Sequence, residues 1–193
     1  MNEIEQILER LKKAIRLFHE AEIEFVLIGG LAMRAHGAKN QTEDADFAYS
    51  SDNSNVEKLA AFLMTIRATG TTTARNWRFR DRLITLLPSF YTRVMGHPRN
   101  QRFLVSPATL QKVRFVNLET DLGKIGLMRE IPGADSFEGL FERAVAKDLG
   151  GFAVPVASVE DIVAMKRLAN RSKDQAHIAE LLALQQRTET KSA

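Results

Sequence analysis

Residues 25–47 read Phe25-Val26-Leu27-Ile28-Gly29-Gly30-Leu31-Ala32-Met33-Arg34-Ala35-His36-Gly37-Ala38-Lys39-Asn40-Gln41-Thr42-Glu43-Asp44-Ala45-Asp46-Phe47. The apolar run Phe25–Ile28 is short and rich in branched residues, and a glycine pair ends it, which predicts a buried strand running into a tight turn. Leu31–His36 is expected as a short helix with Gly37 as its stop. At a strand-to-helix turn, Gly29 and Gly30 leave backbone N–H groups free of Cβ obstruction, so the turn reads as a cradle for a triphosphate. Asp44-Ala45-Asp46-Phe47 then alternates with a strand's period of two, placing Asp44 and Asp46 on one face and Ala45 and Phe47 on the other. Two like charges side by side call for a cation between them. An oxygen-only donor set suits magnesium, which is held by one or two carboxylates together with substrate phosphates.

Outward from this stretch, Ile4, Ile7, Leu8, Leu11, Ile15 and Phe18 recur at helical spacing, which predicts a first helix lying on a sheet. Ser54 and Glu57 form a capping-box pattern ahead of Val56, Leu59, Leu63 and Ile66, so a second long helix is expected. A strand, helix, strand, helix order indicates an α/β fold, a mixed sheet flanked by helices. From Thr69 a threonine-rich loop is expected to lead into Arg75-Asn76-Trp77-Arg78-Phe79-Arg80-Asp81-Arg82. On a strand, Arg78, Arg80 and Arg82 would share a face, giving either a phosphate-binding stripe backed by aromatics or a solvated strand over core aromatics.

Residues 83–107 carry no clear pattern. Val113–Leu118 and Lys124–Met128 read as two strands joined by a turn at Thr120–Gly123. Ser136–Leu149 has helical spacing at Phe137, Leu140, Phe141 and Val145, with Gly150-Gly151 as its stop. Phe152–Val156 is expected as a further strand. Ser158 with Asp161 resembles a capping box for a helix through Ala169, and Ser172 with Gln175 one for a last helix through Leu184. The expected organisation is an α/β core over 1–156, a C-terminal helical pair over 157–185 packed on it, and a frayed tail at 186–193.

Composition narrows the class. With 45% hydrophobic and 26% charged residues over 193 positions, the chain is balanced like an ordinary globular protein rather than a disordered one. It has no cysteine, which excludes disulfides and thiolate metal sites. The first residues are charged and amphipathic rather than apolar, and no run reaches bilayer length, so a cytoplasmic location is expected. A formal charge of +3 assigns any affinity for nucleic acid to local clusters of basic residues. P-loop and dinucleotide fingerprints are missing, as is a nucleophile elbow for serine chemistry. His19, His36, His97 and His177 show no metal-ligand spacing, and His36 beside the turn reads as a packing or hydrogen-bonding residue.

The glycine pair, a spacer, and Asp44-x-Asp46 flanked by apolar residues together resemble the nucleotidyltransferases of the DNA polymerase beta superfamily. Within it, Gly29–Gly37 with Thr42–Asp46, and the late segment Val156–Arg167 followed by Arg171-Ser172-Lys173-Asp174, are similar to the small bacterial abortive-infection toxin (AbiEii-like) nucleotidyltransferases. The resemblance spans most of the chain. It implies transfer of a nucleoside monophosphate from a nucleoside triphosphate to an RNA, protein or small-molecule hydroxyl. Asp44 and Asp46 would be the catalytic and Mg²⁺-binding pair, Gly29, Gly30, Thr42 and Lys166 would bind the nucleotide, and Asp174 would orient basic neighbours. An antitoxin partner is also implied, and no membrane.

The chain departs from the family pattern at Asn40, where relatives carry an arginine, and at Gly126, where they place a third carboxylate. Glu119, Asp121 and Glu130 are the candidates to replace that acid. The departure at Gly126 supports an alternative: a catalytically degenerate nucleotide- or partner-binding module of the same fold. A purely structural α/β domain would bind no nucleotide at all.

Overall fold

The computed structural model describes residues 3–71, 102–149 and 151–192. Helix α1 (Glu3–Glu20) buries Leu11, Ala14, Ile15 and Phe18, whose spacing of three and four residues makes one apolar stripe. That stripe lies on β1 (Phe25–Ile28) and β2 (Asp44–Tyr49), strands joined through the short helix α2 (Gly29–Ala35). Phe18 stacks on Phe47 with ring centroids 4.2 Å apart, and Phe25 meets Phe47 edge-on at 5.3 Å. Such aromatic pairs contribute about 0.5–1.5 kcal/mol each beyond area burial. The alternation expected of β2 is observed: Ala45 and Phe47 are fully buried, while Asp44 and Asp46 face the other way. Gly37 stops the α2 segment at φ 97°.

After β2 come α3 (Asn53–Thr65), β3 (Thr69–Thr71), β4 (Arg102–Leu104), α4 (Pro107–Lys112), β5 (Phe115–Thr120), β6 (Gly123–Met128), α5 (Phe137–Glu142), β7 (Val145–Asp148), β8 (Ala153–Val156), α6 (Val159–Ala169) and α7 (Asp174–Ser192). The described strands form one eight-stranded mixed sheet in the order β4-β3-β5-β6-β2-β1-β8-β7. Strand β2 runs antiparallel to β1 and parallel to β6, and β1 runs parallel to β8. The acidic strand is therefore central, with a neighbour on each side. Helices α6 and α7 pack on each other, α2 packs on α6, and Ile162, Val163 and Leu181 join the core. A backbone bond from the Ala157 N–H to the Leu27 carbonyl, 2.9 Å long, ties the entry of α6 to β1.

Several expectations are corrected. Helix α3 begins a residue earlier than Ser54, with Asp52 at its N-cap and no side-chain cap, so Ser54 and Glu57 lie inside the helix and form no capping box. The expected helix over 136–149 stops at Glu142, and Val145–Asp148 instead pairs antiparallel with β8. Gly151, expected as part of that stop, instead lies in the link between β7 and β8, where it takes φ 90° and donates its N–H to Asp148 Oδ1 at 2.6 Å, while Gly150 lies outside the described residues. A glycine pair serves either use, so local sequence does not separate them. Thr69–Thr71 is an edge-side strand rather than loop. The last helix begins at Asp174 rather than just after Ser172, and it continues past Leu184 to Ser192. The arginine and aromatic run Arg75–Arg82 lies outside the described residues.

Candidate active site

Strand β1 delivers the chain to Gly29, where φ is 70°, a region L side chains rarely adopt. Space imposes the same choice. A Cβ on Gly29 would fall on the Asp46 carboxylate, and one on Gly30 would lie 2.5 Å from Thr42 Oγ1 and 3.3 Å from Asn40 Nδ2. The glycine pair thus brings Asp46, Thr42 and Asn40 against the turn's own backbone. Thr42 Oγ1 donates to Asp44, 2.9 Å from Oδ1 and 3.2 Å from the main-chain carbonyl. Asn40 Nδ2 donates to the Gly30 carbonyl at 3.1 Å, and Arg34 Nη1 donates to the Asn40 carbonyl at 2.9 Å. The Asn40 Oδ1 is buried with no hydrogen-bond partner among the described residues.

Burial, and then the neighbouring charge of Asp44, push the Asp46 carboxyl up to about 7. Arg171, Lys166 and Lys173, all from the C-terminal helical region, act in the opposite sense. These opposing influences define the site electrically: an acidic pair on the sheet, with cations brought near it by α6 and the link from α6 to α7. A metal ion beside the pair would displace the proton that Asp46 holds near neutrality.

The cationic side is fixed by its own contacts. Ser158 caps α6, accepting the Asp161 N–H at 3.1 Å as expected, while the Asp161 carboxylate accepts from the Ser158 hydroxyl, Oδ2 2.7 Å away. Arg143 forks onto the same carboxylate, with Nη2 2.8 Å from Oδ1. Asn170 ends α6 in the left-handed conformation. Lys166 Nζ lies 3.3 Å from Asp174 Oδ1 and 3.2 Å from His177 Nδ1, and Asp174 Oδ2 accepts the Arg171 N–H at 3.0 Å. Asp174 holds basic neighbours in place, the role expected of it. Burial, followed by the charges of Lys166 and Lys173, lowers the His177 pKa, so the neutral ring accepts from Lys166. His36 Nε2 donates to the Ala157 carbonyl at 2.8 Å, which joins the end of α2 to the entry of α6.

The family described as nucleotidyl transferase AbiEii toxin, type IV toxin–antitoxin system, matches residues 10–179. This chain belongs to the AbiEii toxin family. Both resembling stretches, the glycine–aspartate segment and the late Lys166–Asp174 segment, fall inside the match. No curated protein sequence gives a significant match. Among the described residues, no helix is long and apolar enough to cross a membrane.

Against the AbiEii pattern, the three candidate replacements for the acid missing at Gly126 separate clearly. Asp121 lies in the β5–β6 turn with Oδ2 3.6 Å from Arg67 Nε, and Glu130 pairs with Arg114 and Arg129. Glu119 shares the face of Asp44 and Asp46, because sheet register aligns Asp44 with Lys124 and Lys124 with Glu119. Two strand spacings of ~4.8 Å separate it from β2, with Lys124 between. Among the described residues, no group of three or more His, Asp or Glu side chains could hold a metal ion. Two residues beside the site, His177 and Asn117, stand outside the motifs that mark it in the sequence. His177 could have been found from Asp174-x-x-His177, which puts both on one face of a helix. Asn117 carried no signal, because only sheet register places it in the row of Asp46 and Gly126.

Proposed function

We propose that this AbiEii-family chain transfers a nucleoside monophosphate from a nucleoside triphosphate to a hydroxyl group of an RNA, a protein or a small molecule, as the toxin of a pair with an antitoxin partner. The hydroxyl oxygen bonds to the α-phosphorus and the bond to pyrophosphate breaks. The reading rests on one observation: Asp44 and Asp46 lie on one face of β2 beside the Gly29–Gly30 turn, within the field of Lys166, Arg171 and Lys173. The donor set fits a hard divalent cation, Mg²⁺, because it offers only oxygen ligands and like charges that a cation would relieve. When bound, that ion neutralises charge growing on the triphosphate during transfer.

Asp44 and Asp46 would hold the ion, with Thr42 fixing the Asp44 carboxylate through its hydroxyl. Gly29 and Gly30 would serve the triphosphate through their backbone N–H groups, since Asp46 and Thr42 fill the room beside their Cα atoms. Lys166 would present one positive charge to the phosphates from a position set by Asp174 and His177, with exposed Arg171 and Lys173 at the rim. Orienting both reactants in this way can supply much of the rate of a phosphoryl transfer.

The test is incubation with each of four α-labelled nucleoside triphosphates and Mg²⁺, in the presence of tRNA or bulk protein. Label transfer that Asp44→Ala abolishes is the expected result. The lack of an acid at Gly126 favours a second reading, a module that binds nucleotide without transferring it, since a general base contributes ~10²–10⁴-fold. Mg²⁺-dependent nucleotide binding with no transfer to any acceptor would select that module. No nucleotide binding would remove both.

A further inference from the structure

Asp46 and Gly126 are register partners across the parallel pair β2–β6, and Asn117 of β5 is the partner of Gly126 on its other side. A Cβ on Gly126 would fall on Asp46 Oδ1, and a Cβ on Gly29 would fall on Asp46 Oδ2. The carboxylate thus fills the volume of two missing side chains, one after β1 and one on β6. Gly29 is also required by its positive φ, whereas for Gly126 the requirement is space alone. An acid at 126 and Asp46 in its present place exclude each other. Binding two ions ~3.5–4 Å apart needs carboxylates that reach both of them. Among the described residues no third carboxylate joins Asp44 and Asp46 to complete such a set, since Asn117 offers a carboxamide and Glu119 stands beyond Lys124.

We infer that the site is built to hold one divalent cation rather than two, with Gly126 forming the slot that fixes the Asp46 carboxylate beside Asp44. The inference rests on the proposed metal-binding role of these two aspartates. Gly126 then acts as a positioning residue rather than the vacated place of a ligand. Activation of the acceptor hydroxyl is left to protein or acceptor groups.

The experiment is a Mn²⁺ titration of the full chain at pH 8, read by loss of the free-ion electron paramagnetic resonance signal, for wild type, Asp46→Asn and Gly126→Ala. Gly126→Ala is suited to the purpose because its Cβ meets the tip of a side chain and not backbone, so the carboxylate turns away while the strands stay paired. Circular dichroism melting checks the fold. One Mn²⁺ per wild-type chain is expected, with affinity at least tenfold weaker in both variants. Two per wild-type chain would overturn the single-cation inference and leave the metal site standing. One per chain with undiminished affinity in a folded Gly126→Ala would overturn the slot. No binding to wild type would remove the metal site itself. The wild-type count decides the stoichiometry even if Gly126→Ala fails to fold.

Discussion

Lys166 and Asp174 form an ion pair almost closed to solvent, with Nζ 3.3 Å from Oδ1 and side chains 13% and 5% exposed. Removing one partner of such a pair leaves a buried charge without its counterpart, which typically costs about 3–5 kcal/mol. Asp174→Ala also leaves the Arg171 N–H without its side-chain acceptor. Urea denaturation should therefore show a large drop in stability for Asp174→Ala and a smaller one for Asp174→Asn, which keeps an acceptor for that N–H. A loss below about 1 kcal/mol for Asp174→Ala would mean the pair behaves as a solvated surface bridge.

The raised pKa of Asp46 has a stability signature with a definite sign. Between the ordinary value of 3.8 and about 7, the folded chain binds a proton that the unfolded chain has released. Stability from this group is complete below 3.8 and is lost as pH rises through about 7. In metal-free buffer with a chelator, Asp46→Asn should melt higher than wild type at pH 8, by an amount on the order of a few kcal/mol at most. The advantage should shrink steadily toward pH 4. A difference that does not change with pH would mean that Asp46 is ionised throughout.

At Gly30 an added methyl group would lie 2.8 Å from Thr42 Cβ, closer than real side chains come. Gly30→Ala should destabilise the chain by about 1–3 kcal/mol, the usual range for overpacking. Thr42→Gly removes the obstacle, so the double variant should be more stable than the sum of the two single changes allows. A double-mutant cycle measures that coupling, and strict additivity would show that the turn yields without involving Thr42.

Ser158 satisfies the first turn of the helix that carries Lys166. Ser158→Ala should lower stability by about 1 kcal/mol in thermal or urea unfolding, while Ser158→Thr and Ser158→Asp, which keep a capping oxygen, should lose less. Equal losses in all three would point to packing at this buried position rather than to the cap.

The parts of the site legible in the sequence were those set by local rules. A period of two put Asp44 and Asp46 on one face, the glycine pair marked the turn, and Ser158-x-x-Asp161 marked the start of α6. Boundaries differ where one local signal serves two structures, as at Gly151, or where a cap pattern falls inside the helix, as at Ser54 and Glu57. What stayed hidden was set by register. The alignment of Gly126 with Asp46, and of Lys124 with Asp44, follows from the pairing of β2 with β6, strands more than seventy residues apart in the chain. The contact of His177 with Lys166 depends likewise on how α6 and α7 fold against each other.

The two sides of the site come from opposite ends of the chain, the carboxylates from β2 and the cations from α6 and the link that follows it. During synthesis on a ribosome, a growing polypeptide would therefore carry its acidic pair long before Lys166 and Arg171 emerge. A fragment released at β8 would keep both aspartates and lack the positive charges that offset them. The acidic pair therefore meets the cations that offset it only once the last two helices have docked.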